Sequence, residues 1–181
     1  MLKVILYMIL FAILMSFHSC QKKANVEITN VVEEWINREI KFDDGYIFTR
    51  LGKDSVYNSI PTNKYKILVY TDSVGCVGCT LRLSQWMEWI TQIDSISENK
   101  VSFLFFIHPK DMRDLLLLLC SQNFDVPVCI DRNNSLYKLN RFPSNAMLQT
   151  FLLDEHNKVL AIGNPCLLYT SPSPRDRTRS R

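Results

Sequence analysis

The period of apolar and polar positions changes along the chain, and each change marks an element. From Ile28 to Phe42, Val31, Val32, Trp35, Ile36 and Ile40 recur at helical spacing with Glu and Arg opposite, so a helix is expected there, ended by Asp43-Asp44-Gly45. Tyr46 to Ser59 mixes both residue types and reads as short strands or a loop, and Pro61-Thr62-Asn63 is a break. Tyr65 to Tyr70 is a strand rich in β-formers. A turn over Thr71 to Gly75 leads to a helix from Cys79 to Ile96, with Leu83, Trp86, Trp89, Ile90 and Ile93 on one face. Val101 to Ile107 is nearly all apolar, as in a strand covered on both faces, and His108-Pro109 stops it. Asp111 to Cys120 is a second helix, whose run Leu115 to Leu119 is expected to be buried and is too short to cross a membrane. Val126 to Ile130 is a short strand and Ser135 to Leu139 a helical turn. Met147 to Leu153 and Lys158 to Ile162 are strands joined by a turn over Asp154 to Asn157.

Strands that alternate with helices require right-handed crossovers and a parallel sheet, and the closing hairpin adds antiparallel strands at one side. The expected class is therefore α/β, a mixed central sheet flanked by helices.

Charge changes this picture little. Of 21 basic and 18 acidic residues, four Arg and one Asp lie between Cys166 and Arg181, which leaves a balanced body with 17 of each. No basic footprint for nucleic acid remains.

Both ends stand apart from the fold. Lys3 precedes an apolar run from Val4 to Phe17 that is shorter than the roughly 20 residues of a membrane span, the pattern of a secretion signal. The following Phe17-His18-Ser19-Cys20 resembles the lipobox of bacterial lipoproteins, with Phe17 and His18 in place of the usual Leu and small residue. That resemblance implies cleavage before Cys20, acyl chains on Cys20, and a place in the bacterial cell envelope facing the periplasm. An ordinary signal peptide or an uncleaved anchor are the alternatives. At the other end, Cys166 to Asp176 resembles a translated sequencing-library adapter. This implies that residues 166–181 are not native, that Cys166 is not a biological thiol, and that a C-terminal helix is missing through truncation. The expected organisation is a signal peptide over 1–19, a tether over 20–27, an N-terminal helix and connecting segment over 28–63, the main domain over 64–165, and the tail over 166–181.

Gly75-Cys76-Val77-Gly78-Cys79 falls between a strand and a helix. In that context the sequence from Lys64 to Pro165 resembles the thioredoxin-like superfamily, in particular its periplasmic thiol–disulfide interchange branch. The resemblance implies a thiol–disulfide oxidoreductase acting on protein cysteines. Amide dipoles at a helix start favour a thiolate. Cys76 would attack a partner disulfide and Cys79 would resolve the mixed disulfide. Similar motifs carry potentials from about −270 to −120 mV, so either direction of exchange is compatible with the motif.

The chain departs from the family pattern at several points. Gly75 stands where the family has Trp, Tyr70 where it has a buried acid, and Leu148 where it has a cis-proline, with Pro143 five residues earlier. Asp72 would oppose a thiolate by like charge. A non-catalytic binding or scaffold lipoprotein of the same fold is therefore the main alternative, and soft-metal (copper) delivery a lesser one. No cofactor is expected: there is no second CxxC to complete a zinc site and no CxxCH for haem. Cys120 and Cys129 read as core residues or a second disulfide. Trp86 and Trp89 read as core, or as one flank of the dithiol. His108 reads as a loop histidine or a proton-transfer group at the sheet's carboxyl edge.

Overall fold

The computed structural model describes residues 27–57, 59–72, 81–98 and 100–168. The chain divides into two compact units, Met1–Trp35 and Ile36–Arg181. In the first, the described residues form one helix, α1, over 27–35. Among the described residues no helix is long and apolar enough to cross a membrane.

The second unit is a seven-stranded mixed sheet. Its elements are β1 (Phe48–Arg50), β2 (Asp54–Tyr57), β3 (Tyr65–Thr71), α2 (Leu83–Ser97), β4 (Val101–Ile107), α3 (Met112–Ser121), β5 (Val128–Ile130), α4 (Ser135–Asn140), β6 (Thr150–Leu153), β7 (Val159–Ile162) and the short α5 (Pro165–Leu168). The strand order is β2-β1-β5-β4-β3-β6-β7. β3, β4 and β5 are parallel, with Val69 beside Phe105 and Phe105 beside Val128. β6 pairs antiparallel with β3, and the hairpin of β1 and β2 extends the far side antiparallel to β5. The sheet thus reaches back to Phe48, ahead of the Lys64 boundary expected for the main domain.

Two successive right-handed crossovers that step the same way across a sheet put both helices on one face. That face carries Val69, Phe103, Phe105, Ile107 and Val128, packed with Leu83 and Trp86 from α2 and Leu115 and Leu119 from α3. The opposite face carries Leu68, Tyr70 and Phe106, all buried. Irregular chain covers much of it: Phe42 and Tyr46, with Phe48 from β1, each set a ring against Phe106, at centroid distances of 5.9, 4.9 and 5.3 Å. Phe142 packs on Tyr70 and Phe151.

Several boundaries differ from expectation. The helix expected through Phe42 stops after residue 35, because Asn37 turns into the left-handed region (φ 65°), which Asn tolerates better than most residues. The chain then runs beside β7. The Asn37 amide donates to the Val159 carbonyl, the Val159 amide to that of Arg38, and the Ile40 amide to that of Asn157, each at 2.9 Å. Met147 lies in a single 3-10 turn (Ala146–Leu148) capped by the Asn145 side chain, so the strand starts only at Thr150.

Of the leucine run in α3, Leu115 and Leu119 are buried and Leu117 is 62% exposed, since a helix with a sheet on one side cannot bury five consecutive residues. Asp111, not helical itself, caps α3 by accepting from the amides of Arg113 and Asp114. The hairpin turn between β1 and β2 needs Gly52 at φ +69°, where a Cβ would collide with the Leu116 side chain.

Candidate functional site

The three parallel strands end level with one another. Beyond them the ladder continues by one step: the His108 amide donates to the Thr71 carbonyl and the Asp131 amide to that of Ile107, both at 2.9 Å. Asp72 follows Thr71, and the next described residue is Leu81. Cys76 and Cys79 belong to the intervening stretch and lie outside the described residues, as does Cys20. The frame on either side of that stretch is well defined. Leu81 and Leu83 are buried in the helix-covered core, and Trp86 packs edge-on against Phe105 at 5.5 Å.

The helix expected from Cys79 has its described start at Leu83. Arg82 stands before it in the left-handed region (φ 43°), which interrupts a continuous helical path from Leu81. The Arg82 carbonyl accepts from the amides of Gln85 and Trp86, and its guanidinium donates to the Cys166 carbonyl at 3.0 Å. No side chain caps this helix start and no acid lies in its first turn, so among the described residues its positive end is not neutralised.

On the β4–β5 side, His108 Nδ1 lies 2.8 Å from the Asp131 carbonyl oxygen. The Asp131 carboxylate turns the other way and starts α4, accepting from the amides of Ser135 and Leu136 and from the Ser135 hydroxyl. The Tyr70 hydroxyl donates to Asn134 Oδ1 at 2.8 Å, and burial, with the charges of Asp72 and Asp131 adding to it, pushes its pKa up. The described thiols differ in reactivity. Burial, helped by Asp131, pushes Cys129 up to about 12, and burial pushes Cys166 up to about 11 despite the nearby Arg82. Neither is a nucleophile near neutral pH, since only the thiolate attacks. Cys120 is exposed on the outer side of α3, a turn position away from Leu119.

No family model matches the chain, and no curated protein matches it. Solved structures do. A thioredoxin-like protein in its oxidized form, studied in solution, superposes with a TM-score of 0.50 at 11% identity, over 80% of this chain and 93% of that one. The chain has a thioredoxin-like fold. StoA from Bacillus subtilis matches at 0.49 and 16% identity, over 65% of this chain and 84% of its own. A thiol-disulfide oxidoreductase from Bacteroides fragilis matches at 0.48 and 14%, over 67% and 90%.

Within this thioredoxin-like domain, Tyr70 is directed to Asn134 and Phe142, on the face away from α2 and α3. Leu148 is buried in its 3-10 turn, and the Gln149 carbonyl beside it accepts from the Tyr70 amide. Pro143 is held through its carbonyl by Gln149 Nε2, and no described peptide bond is cis. Trp86 is core, fully buried. Cys120 is not core, because it lies opposite the side of α3 that faces the sheet, and Cys120 and Cys129 form no disulfide. Sequence reasoning passed over Asp131. Asp131 lies three residues before the N-cap Asn134, outside the position from which a carboxylate usually caps a helix, so its spacing gave no signal. Of the expected tail, Cys166 to Leu168 fall in α5 with Cys166 buried, and residues 169–181 lie outside the described ones.

Proposed function

We propose that the chain is a thiol–disulfide oxidoreductase of the bacterial cell envelope, held to a membrane by lipid on Cys20. Cys76 attacks the disulfide of a protein substrate, and Cys79 resolves the mixed disulfide. The observation that carries this reading is topological. In a thioredoxin-like sheet, the residues bearing both cysteines connect the carboxyl end of β3 to the helix that covers it. Amides at a helix start lower a thiol's pKa. The buried thiols Cys129 and Cys166 are poor nucleophiles.

The test is reduction of insulin disulfides by the wild-type chain, with Cys76→Ser inactive and Cys79→Ser trapped as a mixed disulfide. A wild type that exchanges with no disulfide, while still capturing partners as a Cys76/Cys79 double Ser variant, would support a non-catalytic binding domain instead. Loss of acyl-chain incorporation in Cys20→Ala checks the anchor separately.

A further inference from the structure

We draw no further inference here: the strongest candidate, the apolar groove of about 430 Å³ on the outer side of α3 between Met112, Leu116, Leu117 and the exposed Cys120, is an open helix face, and among the described residues nothing shows what covers it.

Discussion

The two faces of the sheet are built by different means. The face under α2 and α3 is covered by regular helices, and its core mixes aliphatic side chains with Phe105, which meets Trp86 and Phe124 edge-on. The other face is covered by chain with little regular structure. It is held by rings around Phe106 and by polar groups used as ties. Asn140 is one such tie. It is buried, it donates to the carbonyls of Lys41 and Leu136, and it accepts from the Lys41 amide. Irregular segments have backbone groups that no helix satisfies, so covering a sheet with them requires side-chain amides to take that part.

The sharpest test of this division is a pair of equal truncations. Phe105→Ala and Phe106→Ala should each cost about 3–5 kcal/mol in urea unfolding. Only Phe105→Ala should also change the alkylation rate of Cys76, because Phe105 supports Trp86 in the first turn of α2. Altered thiol reactivity in Phe106→Ala would break the comparison. Asn140→Ala should cost about 1–2 kcal/mol, since it leaves the part-buried amide and carbonyl of Lys41 without their partner. Protease nicking near Lys41 should rise with it.

The smallest effect concerns Lys66, which lies on the aromatic face with 1% of its surface exposed and reaches the Glu155 carbonyl at 3.1 Å. Burial lowers its pKa, outweighing the pull of Asp154 and Glu155. The native state therefore holds its proton less firmly than the unfolded chain, and stability rises with pH between the lowered native value and the ordinary one near 10.5. Lys66→Met should be more stable by about 1 kcal/mol at neutral pH. That advantage should shrink as pH climbs toward 10.5, and an advantage that grows would contradict the assigned cause.

The same division explains what could be read from the chain. Val101 to Ile107 was legible to the residue because a strand covered on both faces reads as a near-continuous apolar run, broken here only by Ser102, and His108-Pro109 ends it. The inward side of α2 was legible from its 3.6-residue period. Phe42, Tyr46 and Phe142 were not, because irregular chain imposes no period on the residues it buries. Five leucines in a row likewise concealed which two face the sheet. Cys76 and Cys79 stand out by their spacing together with their place between a strand and a helix pattern. The orientation of His108 does not, because a backbone carbonyl leaves no mark on residue identity.

Residues 37–40 lie along the outer rim of β7, taking up amides and carbonyls that a terminal strand would otherwise offer to another molecule. The opposite rim, β2, is four residues long. Both features limit edge-to-edge strand pairing. Substitutions that straighten the turn at Asn37 would expose a template for intermolecular strand pairing, and loss of solubility would precede any loss of fold.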